Sequence, residues 1–262
     1  MGVDPFQAEV ARVALVAAAD HGFALAGGNG LVAHGLVDRP TRDVDLFSPE
    51  PGAPGAVLDS VRRVLETAGY RVEVTRRPED SAGEFAQLAV SRSEESMLLD
   101  LARDWRQLPP VSLDIGPVLH IDDAVGSKVA ALVGRGLPRD FIDVAAALAR
   151  YRREELMTLA FVRDPGLRVR DFSDAARALD DIPADAFAAY GMDAAGIATM
   201  RAQFDDWPRD VSSDKAGQLA HEAAHRPRGS TDLGPRNPPT SWPATSPSSV
   251  ASDDHRPQPP PL

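Results

Sequence analysis

Two aspartates separated by one apolar residue are the part of this sequence best suited to chemistry. Asp43 and Asp45 flank Val44 in a short apolar stretch. Residues i and i+2 of a strand point to the same face, so both carboxylates project side by side while Val44 enters the core. Adjacent carboxylates repel each other unless a cation lies between them. Because Mg²⁺ and Mn²⁺ prefer oxygen ligands, the spacing predicts a divalent-metal site.

A glycine pair lies upstream, directly after another apolar stretch. Gly27 and Gly28 follow residues 23–26, and Asn29 comes next. Paired glycines let a backbone approach a phosphate closely. The Asn29 amide can donate a further hydrogen bond. Together with the aspartate pair, these residues predict a site for a metal-bound nucleoside triphosphate.

A third acid, Asp100, interrupts the apolar segment 97–101. A lone buried carboxylate is costly, so its presence calls for a reason. One interpretation is a third metal-facing carboxylate beside Asp43 and Asp45, which helps to deprotonate an attacking hydroxyl. The alternative is a strand-end acid in water, or one that caps the following segment.

Basic residues follow in the second half of the chain. Lys128 and Arg135 lie two turns apart on a predicted helix, so they share a face and could offset the charge of a leaving pyrophosphate. Most such pairs are simply a solvated helix face. Arg139 and Asp143 are i, i+4 neighbours, and Asp143 could pair with Lys128 or Arg135. A structural salt-bridge network is as compatible with this pattern as direct catalysis.

Hydrophobic periodicity predicts the elements that position these residues. The predicted strands are 23–26, 44–47, 71–76, 85–91 and 96–101, with a crossover through 118–121. The predicted helices are 5–20, 29–37, 57–68, 122–133, 139–151, 154–162, 173–178 and 194–206. This order predicts an α/β (α+β) fold with a short mixed sheet in residues 1–120 and a helical domain in residues 121–209 that completes a cleft.

Composition changes near residue 210. Ten of the 23 prolines lie between His225 and Leu262, a stretch with almost no aliphatic residues. Such a segment cannot bury enough apolar surface to offset its ordering entropy. We therefore predict a disordered tail over residues 210–262.

Charge and composition exclude several classes. The net charge of −11 excludes a general nucleic-acid binder, so any nucleic-acid contact must use a local basic surface. There is no cysteine, which excludes disulfides and thiolate metal sites. No apolar run is long enough to span a bilayer, and no signal peptide is evident. We predict a soluble, cytoplasmic protein that does not bind membranes.

Three further patterns have competing interpretations. The segment from Gly28 fits the dinucleotide-binding fingerprint, but the aspartate strand follows too soon for a crossover helix. His221 and His225 match a zinc motif, but they lie where order is expected to be lost, so we predict no zinc. The cluster at residues 150–153 combines three arginines and Tyr151, which suits a nucleic-acid contact or a salt-bridged helix end.

Taken in order, these motifs resemble the AbiEii/AbiGii toxin family of nucleotidyltransferases. That family lies within the polymerase-beta-like superfamily and includes the MenT toxins. The resemblance covers about residues 18–151. It is carried by Gly27-Gly28, Arg39-Pro-Thr41 before Asp43-Val-Asp45, then Asp100, and finally Lys128, Arg135 and Arg139-Asp140-Phe-Ile-Asp143.

The resemblance implies a polymerase-beta-like nucleotidyltransferase core that uses Mg²⁺, or Mn²⁺, and an NTP. It implies transfer of NMP to a hydroxyl acceptor, in some members the 3′ end of tRNA, and a cognate antitoxin as partner. It also implies that four residues are essential, namely Asp43, Asp45, Lys128 and Asp143. The residues assigned to the nucleotide are Gly27, Gly28, Asn29, Arg39, Thr41, Lys128 and Arg135.

One departure from the superfamily pattern leaves alternatives open. The wider superfamily has Gly-Ser where this chain has Gly28-Asn29, so the serine hydroxyl is absent. This departure favours a catalytically silent NTP-binding member of the fold. A third hypothesis is that the acceptor is a hydroxyl of a protein or of a small molecule, which the acidic net charge favours over RNA.

Overall fold

The structure, a computed structural model, describes residues 2–207. The predicted tail and the candidate zinc motif at His221 and His225 lie outside the described residues. Within residues 2–207, no helix is both long enough and apolar enough to cross a membrane.

Seven strands in the described part of the chain form one mixed sheet in the order β3-β4-β5-β2-β1-β7-β6. Two pairs are parallel, β2 with β5 and β1 with β7, and the other four are antiparallel. In chain order the strands are β1 (Ala24–Leu25), β2 (Asp43–Ser48), β3 (Arg71–Arg76), β4 (Phe85–Arg92), β5 (Glu95–Arg103), β6 (Val111–Leu113) and β7 (Gly116–Val118).

Nine α-helices accompany the sheet in residues 2–207. They are α1 (Pro5–Ala17), α2 (Gly27–Ala33), α3 (Ala53–Thr67), α4 (Ile121–Arg135), α5 (Pro138–Leu148), α6 (Arg153–Arg163), α7 (Val169–Asp181), α8 (Ala184–Ala188) and α9 (Ala194–Ala202). The first begins where Asp4 accepts a hydrogen bond from the backbone nitrogen of Gln7 and Pro5 fixes the first turn.

One face of the sheet and the helical half of the chain belong to two different apolar clusters. Alternate residues such as Val44 and Leu99 pack with α1 and α3 in one cluster. Leu31, from α2, packs with α4 to α7 in the other. Because β2 buries every second residue, Asp43, Asp45 and Phe47 lie on its other face, where Phe47 packs against the second cluster. The fold therefore holds one face of β2 and β5 beside the helical half of the chain.

The predicted α/β class with a mixed sheet is confirmed, and the β3 bounds agree with the prediction. The strands β6 and β7 and the helix α8 were not predicted, because each is too short to show periodicity, and the crossover predicted over 118–121 begins where β7 ends. The helix predicted over 29–37 instead begins at Gly27, so the glycine pair forms its first turn. β1 and β2 are antiparallel, which excludes the dinucleotide-binding alternative because that motif needs a parallel crossover.

Candidate active site

Three carboxylates lie on one face of the sheet. β2 and β5 run parallel with Asp45 paired to Asp100, and Asp43 is two residues before Asp45. Val44 is fully buried, whereas Asp43, Asp45 and Asp100 are only partly buried. Cross-strand partners in register project to the same face. The structure therefore brings the three predicted acids together.

The charges of the neighbouring side chains change the titration of Asp45. Burial, together with the negative charges of Asp43 and Asp100, raises the pKa of Asp45 to about 7. The positive charges of Lys128 and Arg139 oppose this rise without cancelling it. The site thus holds more negative charge than its own cations neutralise, which is the condition that favours a bound divalent ion.

The donors present fit a Mg²⁺ or Mn²⁺ ion bound together with a triphosphate. Within residues 2–207, no group of three or more His, Asp or Glu side chains is arranged to hold a metal by itself. Mg²⁺ usually takes only one or two protein carboxylates and completes its octahedron with water and substrate phosphates. Asp43 and Asp45 supply such a pair on one strand face.

The raised pKa of Asp45 predicts how stability depends on pH in the metal-free protein. Because its pKa is about 7 when folded and 3.8 in the reference state, Asp45 binds more protons in the native state between these values. Its contribution to the free energy of unfolding should therefore fall as pH rises through this window and level off above it. Urea denaturation in EDTA, compared with Asp45→Asn, measures this contribution. A wild-type-minus-variant difference that stays constant across the window would contradict the assignment.

The glycine pair allows α2 to approach β2 closely. Gly27 has φ +58°, and a Cβ on it would lie 1.7 Å from Oδ2 of Asp45. A Cβ on Gly28 would lie 2.9 Å from the Cγ2 atom of Thr41. The backbone nitrogen of Ala26 also donates to the Asp45 carbonyl at 2.8 Å. The start of α2 is thereby fixed against the carboxylate face.

Gly27→Ala should reduce activity by more than its backbone strain accounts for. The side chain would displace the Asp45 carboxylate, so we expect loss of Mg²⁺-dependent transfer. Gly35→Ala is the matched control, because Gly35 has φ +61° but a Cβ added to it would meet no atom within 4 Å. Both substitutions should cost about 1–3 kcal/mol in backbone strain. Thermal melts and transfer assays compare them, and equal activity in the two variants would contradict the close approach.

Asn29 belongs to a buried network and not to an open phosphate site. It is 1% exposed, and its amide nitrogen donates both to Oε1 of Gln7 and to the carbonyl of Asp43, each at 2.8 Å. The Thr41 hydroxyl lies 2.9 Å from Oδ1 of Asn29 and 2.6 Å from Oε1 of Gln7. Asn29 and Thr41 therefore tie α1, α2 and β2 together, and their side chains are engaged in this network instead of being open to the nucleotide.

Asp143 is a buried centre that holds two cations. Its side chain is fully buried and accepts two hydrogen bonds from the Arg39 guanidinium, at 2.6 and 2.7 Å. The ammonium of Lys128 lies 3.0 Å from Oδ2 of the same carboxylate. Paired ions of this kind satisfy each other inside a protein. Asp143 thus positions Lys128 and Arg39 at the carboxylate face and has no room to act on substrate directly.

Arg135 and Arg139 differ in their partners. Arg135 makes two hydrogen bonds to the buried carboxylate of Asp140, at 2.8 and 2.9 Å. Arg139 has a buried Nε atom without a hydrogen-bond partner, and its charge lowers the pKa of Asp45. Arg139 was not among the predicted nucleotide-binding residues. Its place in the segment Arg139-Asp140-Phe-Ile-Asp143, which carries the family resemblance, could have indicated it.

Gln87 is a second neighbour that the sequence did not indicate. Its amide nitrogen donates to Oδ1 of Asp100 at 2.9 Å, and this bond lowers the pKa of Asp100 against the raising effect of burial. The Thr75 hydroxyl lies 3.0 Å from Oε1 of Gln87. Gln87 therefore orients Asp100 and favours its ionised form.

The basic cluster at residues 150–153 does not form an open nucleic-acid surface. Tyr151 is 5% exposed and donates from its hydroxyl to Asp122 at 2.6 Å. Arg153 is 8% exposed. Arg150 donates to the carbonyl of Gly35 at 3.2 Å. Two of the four side chains are thus buried within the helical half, which agrees with the structural alternative.

Comparison with known proteins identifies the family. The family described as nucleotidyl transferase AbiEii toxin, type IV toxin–antitoxin system, matches residues 11–228. No curated protein matches the chain. Among solved structures, the chain is similar to MenT4, a nucleotidyltransferase toxin from Mycobacterium tuberculosis, with 22% identity and a TM-score of 0.49. That alignment covers 82% of this chain and 92% of MenT4.

It is also similar to JHP933 from Helicobacter pylori, with 15% identity, a TM-score of 0.49, and coverage of 85% of this chain and 95% of JHP933. Family membership rests on the sequence match, which spans most of the chain. The chain belongs to the AbiEii family of nucleotidyltransferase toxins and is a nucleotidyl-transferring enzyme.

Proposed function

We propose that the protein transfers NMP from an NTP to the hydroxyl of an acceptor, with Mg²⁺ or Mn²⁺ as cofactor, and that the acceptor is the 3′ end of tRNA. The observation that supports this most is the row formed by Asp43, Asp45 and Asp100 beside Gly27, with the pKa of Asp45 raised to about 7. Such a group of acids destabilises the empty site and favours binding of a cation with its triphosphate.

Each side chain has a role that follows from its position. Asp43 and Asp45 would hold the metal, which when bound supplies Lewis-acid activation of the phosphate. Asp100, which Gln87 orients through a hydrogen bond, accepts the proton of the acceptor hydroxyl as the hydroxyl oxygen bonds to the α-phosphorus. The bond from the α-phosphorus to the bridging oxygen breaks, and pyrophosphate leaves with that electron pair.

We assign three cations to the charge that develops on the leaving group. Lys128 and Arg39 are held by Asp143, and Arg139 lies close enough to Asp45 to affect its pKa. Preorganised cations of this kind stabilise charge that appears in the transition state. We assign Lys128 and Arg139 to the triphosphate, with Arg39 and Arg135 supporting them through Asp143 and Asp140. The backbone at Gly27 and Gly28 approaches the phosphates.

Two alternatives each have one observation in their favour. Burial of Asn29, the residue where the superfamily has serine, favours a silent NTP-binding member. The net charge of −11 favours a protein or small-molecule acceptor over RNA.

Membership of a type IV toxin–antitoxin family supports a cognate antitoxin as partner. We also propose that the chain divides into a core at residues 1–120, a helical domain at 121–209 and a tail. A cytoplasmic location is a further part of this proposal.

Incubation with labelled NTPs, total tRNA and Mg²⁺ tests the function, with Asp43→Ala as the control. We expect label in tRNA that depends on Mg²⁺ and disappears in the variant, together with loss of toxicity. Label found only in protein would move the acceptor to the second alternative. Absence of transfer to any acceptor, with undiminished toxicity of Asp43→Ala, would remove the proposal.

A further inference from the structure

The β3 strand contains a bulge that changes the face on which its last residue lies. Val72 and Val74 pack against the core, so strict alternation would turn Arg76 toward the core as well. The register between β3 and β4 shifts between Val74 and Arg76. An extra residue in one strand reverses the alternation beyond it. Arg76 is accordingly exposed and pairs with Gln87.

Arg76 therefore extends the row of acids across a fourth strand. Arg76 pairs with Gln87, Gln87 with Asp100, and Asp100 with Asp45. Neighbouring strands are about 4.8 Å apart, so the Cα of Arg76 lies roughly 10 Å from that of Asp100. The charge of Arg76 reaches far enough to lower the pKa of Asp100. A single row thus runs from the metal-binding acids to an arginine.

The guanidinium of Arg76 has no carboxylate partner in the described residues. Its Cζ lies 5.9 Å from the centroid of the Phe85 ring, on the same face as Gln87. Two other arginines of this sheet are ion-paired, Arg92 with Glu9 at 2.7 Å and Arg103 with Glu84 at 3.2 Å. An arginine placed against an aromatic ring keeps its donors available for a phosphate.

We propose that Arg76 binds a backbone phosphate of an RNA acceptor whose 3′ hydroxyl lies at Asp100. This inference rests on the proposed function and adds a residue that holds the RNA acceptor. A terminal hydroxyl attached to a phosphodiester chain needs an anion site at some distance from the general base, on the side away from the metal. The row places Arg76 there, and Leu98, 39% exposed on the same face, offers apolar surface for a base. An uncharged small-molecule acceptor has no use for such a cation.

Binding of 5′-fluorescein-labelled tRNA, measured by anisotropy over a series of salt concentrations, tests this assignment without requiring catalysis. Arg76→Ala should weaken binding by about tenfold, the loss expected for one charge-assisted contact. The slope of log K against log salt should become shallower by about 0.7. Arg71→Ala is the matched control, because Arg71 is exposed on the same strand but pairs with Ser91, four residues from Gln87. Arg71→Ala should leave both the tRNA affinity and the salt slope almost unchanged.

Transfer kinetics separate this inference from the function itself. In Arg76→Ala the apparent KM for tRNA should rise, while the KM for NTP and the melting temperature stay unchanged. Transfer to a free nucleoside, which has a 3′ hydroxyl but no phosphate, should also stay unchanged. If tRNA affinity and salt slope are the same in wild type, Arg76→Ala and Arg71→Ala, the inference is overturned even when transfer is robust. Failure of the wild type to transfer NMP at all removes the proposed function, whereas the anisotropy result still decides the role of Arg76.

Discussion

Asp45→Asn should abolish nucleotidyl transfer and leave the fold at least as stable as wild type at neutral pH. Asparagine has the same shape but removes the charge that Asp43 and Asp100 repel, so one source of unfavourable energy in the metal-free site disappears. Removal of a metal ligand should reduce turnover by about 10³-fold or more. Single-turnover kinetics and urea denaturation measure the two effects.

Asp114→Asn is a suitable control, because Asp114 is an exposed acid between β6 and β7. It should change neither turnover nor stability. A large loss of stability in Asp45→Asn at pH 7 would show that the Asp45 charge supports the fold, and the account of the carboxylate face would then be wrong.

Asp143→Ala should cause the largest loss of stability among these substitutions. It would leave Arg39, whose side chain is 7% exposed, and Lys128, 12% exposed, without the carboxylate that satisfies them. Breaking a buried ion pair in this way costs about 3–5 kcal/mol. Activity should be lost as well, since both cations would be free to move. Urea denaturation monitored by circular dichroism measures the change in the free energy of unfolding.

Asp140→Ala provides the matched comparison. Asp140 is equally buried, but its partner Arg135 is 46% exposed and can turn into water. Loss of the Asp140 carboxylate should therefore lower the free energy of unfolding by less than loss of the Asp143 carboxylate. Adding Lys128→Met to Asp143→Ala should restore part of the stability, because one uncompensated cation is removed. If Asp140→Ala proves the more damaging of the two, Asp143 is not the centre that holds the site together.

The parts of the site that the sequence predicted depend on short-range rules. Asp43 and Asp45 share a face because they are two residues apart on a strand, and no tertiary information is needed for that. Asp143 was predicted to pair with Lys128 or Arg135, and the structure pairs it with Lys128 at 3.0 Å, while Arg135 pairs with Asp140. The apolar segment around Asp100 predicted a strand, and one of its two interpretations placed the Asp100 carboxylate beside Asp43 and Asp45.

The parts that were not predicted depend on contacts between distant residues. Asn29 is hydrogen-bonded to Gln7, 22 positions away, and nothing in the local sequence indicates that pairing. Gln87 meets Asp100 only because β4 and β5 pair in one register. Arg76 reaches the same face through a bulge, and alternation alone would have assigned it to the wrong side.

Titration calorimetry with a non-hydrolysable NTP analogue tests most directly the claim that Asp43, Asp45 and Asp100 form a metal-dependent nucleotide site. The wild-type protein should bind the analogue in Mg²⁺ and lose most of that affinity in EDTA. Asp43→Asn and Asp45→Asn should bind it weakly under both conditions while remaining folded. Equal affinity with and without Mg²⁺, or variants that bind as tightly as the wild type, would contradict the account.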